Sequence, residues 1–90
     1  MRIRFSRFVI KELSKIKQKD KKLSDRIQKQ LVLFKSNPKH PSLRLHKLSG
    51  TFDTMWSVSI TMSIRMVYKL MNKETVYFVD IGTHDEVYRK

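Results

Sequence analysis

The sequence predicts an α+β domain: a two-helix hairpin packed on one face of a mostly antiparallel sheet, in the order β-α-α-β-β-β-β. Three observations predict it. Apolar residues recur at helical spacing up to Phe34. Beyond the proline loop the period changes to two and stays there. The chain has 90 residues and no cysteine, linker, repeat or low-complexity stretch, which argues for a single domain with one modest core.

Each element has its own signal. Arg2-Ile3-Arg4-Phe5 alternates polar and apolar, as a short half-buried strand does. Ser6 is a candidate cap for a helix over Arg7 to Lys19, where Val9, Leu13 and Ile16 fall on one stripe. Asp20 is a candidate cap for the second helix, in which Leu23, Ile27, Leu31 and Phe34 repeat on one face. Ser36-Asn37-Pro38 ends it, because the residue before a proline avoids the α region. Leu43-Arg44-Leu45-His46 reads as a strand closed by Ser49-Gly50, with Thr51 to Thr54 as the connection to the next. Trp56, Val58, Ile60 and Met62 alternate with Ser57, Ser59 and Thr61, the clearest strand pattern in the chain. Ile64, Met66, Tyr68 and Leu70 form the next apolar face, and Val76 to Ile81 the last strand. That strand breaks at Gly82, and the segment ends in a polar tip holding His84, Asp85, Glu86 and Tyr88.

Charge narrows the partner. Lys and Arg number 20 against 8 Asp and Glu, a net charge of +12. A surplus of this size in a small chain implies a polyanionic partner: nucleic acid, an acidic protein or an anionic membrane. Without cysteine there are neither disulfides nor thiolate metal sites, and no H-x-x-x-H spacing occurs, so no metal is expected. A Gly-rich phosphate loop and a G-x-S-x-G elbow are also absent. No apolar run reaches signal-peptide or membrane-span length, so the expectation is a cytoplasmic protein.

Counting by twos puts Arg44, His46, Ser57, Ser59, Thr61, Arg65 and Lys69 on the sheet face opposite the helices, with His84 in phase with Asp80 and Gly82. Arginines on such a face can hold a phosphodiester. His46 and His84 come from different strands; near one phosphate they would divide proton removal and proton donation, and otherwise they are two polar histidines on a solvated sheet. Arg65 would stabilise developing phosphate charge, or form an ion pair with Asp80. Tyr88 would stack on a base or bond a phosphate, or else pack the C-terminus. Trp56 is in phase with the core, and His40 in its proline loop carries no signal.

Five segments in one register carry a resemblance. They are Asn37-Pro38-Lys39-His40-Pro41-Ser42-Leu43-Arg44, His46-Lys47-Leu48-Ser49-Gly50, Trp56-Ser57-Val58, Arg65-Met66-Val67-Tyr68 and Asp80 through Tyr88. The pattern resembles the RelE/ParE superfamily of toxins of bacterial type II toxin–antitoxin systems, in its RelE/YafQ-like branch. The resemblance implies a small basic ribonuclease that cuts mRNA in the ribosomal A site without a metal or cofactor, by attack of the ribose 2′-hydroxyl. It also implies a cognate antitoxin that blocks the toxin. By position, His46 and His84 would transfer protons, Arg65 would stabilise the transition state, and Tyr88 would place the nucleotide. Arg44 and Lys47 would hold the RNA backbone. Ser57 and Ser59 stand where some members carry lysines, and the further histidine and aspartate of some YafQ-like members near Ser59 and Ser63 are missing. A weaker activity, or one resting on His46 and His84 alone, is therefore among the expectations. The same superfamily allows a ParE-like gyrase inhibitor acting by protein contact, and the charge alone allows a non-catalytic nucleic-acid-binding module.

Overall fold

Two polar side chains fix where the helices begin. Ser6 Oγ accepts the Val9 N–H at 3.1 Å and starts α1 (Arg7–Lys19). Asp20 Oδ1 accepts the Leu23 N–H at 3.0 Å and starts α2 (Lys21–Ser36). Asp20 also closes α1, donating its own N–H to the Ile16 carbonyl, so one residue turns the hairpin. The structure, a computed structural model, describes residues 1–48 and 54–88, Tyr88 by its backbone alone. Ser49-Gly50 and the connection through Asp53 lie outside the described residues.

The sheet has five strands: β1 (Arg2–Phe5), β2 (His46–Lys47), β3 (Met55–Ser59), β4 (Ile64–Leu70) and β5 (Thr75–Thr83), in spatial order β1-β5-β4-β3-β2. β1 runs parallel to β5 and every other pairing is antiparallel. The helix hairpin carries the chain from one edge of the sheet to the other and covers one face on the way. Ile3, Phe5, Val58, Met66, Tyr68, Val76, Phe78 and Ile81 face it, against Val9, Ile27 and Phe34. Phe34 is fully buried between Tyr68 and Phe78, with ring centroids at 5.2 and 5.8 Å. Burial there pushes the Tyr68 phenol above its usual pKa.

The α+β architecture and its element order stand as the sequence predicts, with three local differences. Leu43-Arg44-Leu45-His46 is not a strand. His40 Nδ1 accepts the Ser42 N–H at 3.1 Å, the chain winds a 3₁₀ turn over Pro41–Leu43, and Arg44 caps it in the left-handed region at φ 44°. Leu43 is drawn fully into the core, and only His46 and Lys47 pair with β3. Met62 does not continue the apolar face; it is 94% exposed. β3 stops at Ser59 because Thr61 Oγ1 accepts the N–H groups of Ser63 and Ile64 and closes a turn. Finally, β5 does not break at Gly82 but extends to Thr83, and the polar tip that follows is a short helix, α3 (His84–Tyr88).

Candidate active site

The face of the sheet away from the hairpin is ruled by cross-strand rows. His46, Ser57, Val67 and Asp80 form one row, and Ser59, Arg65 and Gly82 the next. Lys69 lies opposite both Met55 and Tyr77 in a third, its ammonium 5.8 Å from the Tyr77 ring centre. With strands about 4.8 Å apart and rows about 6.8 Å apart, the Cα atoms of His46 and Arg65 are separated by about 12 Å. An arginine and an imidazole reaching toward one phosphodiester close that gap. The floor between them is small: Ser57 is fully buried and Ser59 nearly so.

Arg65 is half-buried, and its guanidinium has no hydrogen bond or ion pair among the described residues. Its neighbour across the sheet is Gly82, which offers no side chain. Asp80 is opposite Val67, one row away, where the register shifts and β5 carries an extra residue. The Asp80 carboxylate accepts the Ile81 N–H at 2.9 Å. A cation set in a partly dehydrated face without a protein counter-charge is a ready anion site. The imidazole of His46, exposed on the edge strand, likewise has no hydrogen bond among the described residues.

His84 does not extend the last strand, as its phase suggests. It opens α3, which folds back over the outer face and plugs Val87, 3% exposed, against Leu48 and Val67 with Met55 and Val79 beside them. A reciprocal cap holds the turn: the Thr83 N–H donates to Glu86 Oε1 at 2.7 Å and the Glu86 N–H donates to Thr83 Oγ1 at 3.2 Å. His84 Nδ1 is 3.7 Å from the Asp85 carboxylate. Sequence reasoning missed Thr83 and Glu86 as the support of His84. The signal was there in Thr83-His84-Asp85-Glu86, a T-x-x-E spacing.

Gly82 makes that cap possible. A Cβ at this position would come within 3.0 Å of Glu86 Oε1 and 3.1 Å of Glu86 Cβ. Gly82→Ala is therefore expected to push Glu86 off the Thr83 N–H, costing about 0.5–2 kcal/mol, the usual worth of a lost cap. Urea unfolding checks this, and Glu86→Ala is expected to match it, with little further loss when the two are combined.

The remaining candidates are scattered. Tyr88 ends α3, so its backbone lies on the outer side. Arg44 is exposed beyond the 3₁₀ turn, bordering a hollow with Lys39 and His40. Lys47 points away from His46, as neighbours on a strand must, and its ammonium is 5.9 Å from the Trp56 ring centre. Among the described residues no three His, Cys, Asp or Glu are grouped to hold a metal ion, and no helix is long and apolar enough to cross a membrane.

Against protein-family models, residues 1–89 match YafQ, described as a bacterial toxin of type II toxin–antitoxin systems. The chain belongs to the YafQ family of type II toxins. A search of curated protein sequences returned no match. Among solved structures the toxin is similar to a YoeB/ParE toxin from Agrobacterium tumefaciens, with a TM-score of 0.80 at 18% identity over 93% of this chain and 99% of that one. It is also similar to YafQ in the DinJ–YafQ complex from E. coli, with a TM-score of 0.77 at 18% identity over 98% and 99%. The Staphylococcus aureus YoeB–YefM complex gives 0.77 at 20% identity over 93% and 97%. The toxin thus shares its fold with proteins seen bound to their antitoxins.

Proposed function

We propose that the toxin is an endoribonuclease that cleaves mRNA in the ribosomal A site without a metal. The observation that supports this best is Arg65, a half-buried cation with no counter-ion among the described residues, on the face that carries His46 and lies under α3. One of the two imidazoles takes the proton of the ribose 2′-hydroxyl, whose oxygen attacks the adjacent phosphorus. The bond to the 5′ oxygen breaks, and the other histidine, protonated, supplies the proton that the leaving oxygen needs. The products are a cyclic phosphate and a free 5′-hydroxyl. Arg65 stabilises the charge that builds on the non-bridging oxygens. Tyr88 positions the nucleotide at the end of α3. Arg44 holds the RNA backbone beside His46, and Lys47 does so from the sheet edge.

The partners of this reading are the ribosome with its mRNA, and a cognate antitoxin whose acidic or amphipathic segment covers the basic surface. The place of action is the cytoplasm.

Expression of His84→Ala beside the wild type tests the assignment. Loss of a proton-transfer group is expected to lower in-ribosome cleavage by about 10²–10⁴-fold and to abolish growth arrest. Arrest and mRNA cleavage that persist in this variant would show that the site is wrongly assigned. Supercoiling by purified DNA gyrase is expected to be unaffected by the toxin.

A further inference from the structure

We infer that Gln30 is a positioning residue for the proposed cleavage: one side-chain amide on α2 ties together the two backbone segments that carry His46 and Arg65. The inference rests on the nuclease reading of the site. Gln30 is 2% exposed, the only buried polar residue in the helix hairpin among the described residues. Its Nε2 has two hydrogens and meets two carbonyls, Ser59 O at 3.0 Å and, more loosely, Ser42 O at 3.5 Å. Neither acceptor belongs to α2. Ser59 is the last residue of β3 and lies directly opposite Arg65. Ser42 sits in the 3₁₀ turn, four residues before His46, with fully buried Leu43 anchoring the chain between them.

The geometry has a built-in comparison. One helical turn earlier, Arg26 Nε donates to the Ile60 carbonyl at 3.0 Å. Arg26 therefore braces the end of β3 as Gln30 does, but has no bond to the segment that leads to His46. If Gln30 acts only as structural support, the two side chains are equivalent. If it sets the separation of His46 from Arg65, only Gln30 matters for chemistry, because a misplacement of about 1 Å at a reacting group costs on the order of 10²-fold in rate.

Gln30→Met keeps the length of the side chain and removes both bonds. In single-turnover cleavage of ribosome-bound mRNA, kcat is expected to fall about tenfold or more while KM stays within about twofold. Arg26→Met is expected to leave kcat within about twofold. The deciding measurement is the double-mutant cycle: in a His46→Ala background, Gln30→Met should cause almost no further loss, since the separation it sets no longer matters once one of the two groups is gone. A full additive loss there, or an equal loss from Arg26→Met, overturns the inference. Should the methionine variant unfold, Gln30→Asn takes its place in the same cycle. It keeps the amide but is one methylene too short to reach both carbonyls. Amide hydrogen exchange supplies a readout that needs no cleavage: Gln30→Met should loosen residues 43–47, and Arg26→Met should not. Exchange that does not change in Gln30→Met also overturns the inference. A wild-type toxin that fails to cleave ribosome-bound mRNA instead overturns the reading of the site, so the two failures are distinct.

Discussion

Phe34→Ala is expected to lower the stability of the toxin by about 3–5 kcal/mol, the largest loss from any single truncation in this core. Phe34 is fully buried at the centre of the hydrophobic cluster. It meets the tilted ring of Tyr68 and the edge of Phe78, which also contact each other at 5.4 Å and bring in Phe5 at 5.9 Å. Removing the ring deletes the contact that fixes α2 to β4 and β5. The neighbouring aromatic rings are held by strand backbones and cannot collapse into the space. A chain of 90 residues has roughly 5–13 kcal/mol of stability in total, from a typical 0.05–0.15 kcal/mol per residue. The variant would thus be close to half unfolded at the low end of that range. Urea unfolding should show a large drop in midpoint with an unchanged slope. Phe34→Leu, which fills most of the volume, should lose much less. Equal losses from the two would mean that ring packing is not what holds the hairpin on the sheet.

The parts of this fold that follow from periodicity were legible, and those that follow from local hydrogen bonds were not. Val9, Ile27 and Phe34 sit in the core because a 3.6-residue stripe has one way to face a sheet. Ser6 and Asp20 cap their helices through bonds that the residue type itself suggests. Leu43 to His46 mimics a strand because two leucines alternate with two polar residues. The His40–Ser42 bond and the left-handed Arg44 convert most of it into a turn, and no alternation pattern encodes either. Met62 continues a period-two run by type, yet the Thr61 hydroxyl has already turned the chain. The site follows the same division. His46 and Arg65 share a face as counting by twos predicts, whereas His84 arrives on a helix whose start is set by Thr83 and Glu86. Counting by twos cannot settle whether Arg65 meets Asp80; the extra residue in β5 sets Gly82 opposite Arg65 and Asp80 opposite Val67, one row away. Gln30 was invisible because a glutamine in a helix says nothing of the carbonyls it will meet.

Arg65→Ala is expected to lower cleavage by about 10²–10³-fold, the range seen when one donor to a developing oxyanion is removed. The Arg65 side chain has no hydrogen bond or ion pair among the described residues, and Gly82 opposite it has no side chain for it to pack against. Removing it should therefore cost the fold little, and a melting temperature within a few degrees of wild type is the first control. The loss should fall on kcat far more than on ribosome affinity, because a net charge of +12 leaves many other cations to draw in the RNA. Arg65→Lys separates charge from shape. An ammonium restores the charge but not the two-pronged donor geometry that matches phosphate oxygens, so activity between alanine and wild type is expected. Full activity in the lysine variant would reduce Arg65 to a general electrostatic role. Full activity in the alanine variant would mean that the phosphate sits elsewhere on the sheet, and that the arginine in the row beside His46 is not what the outer face is built to present.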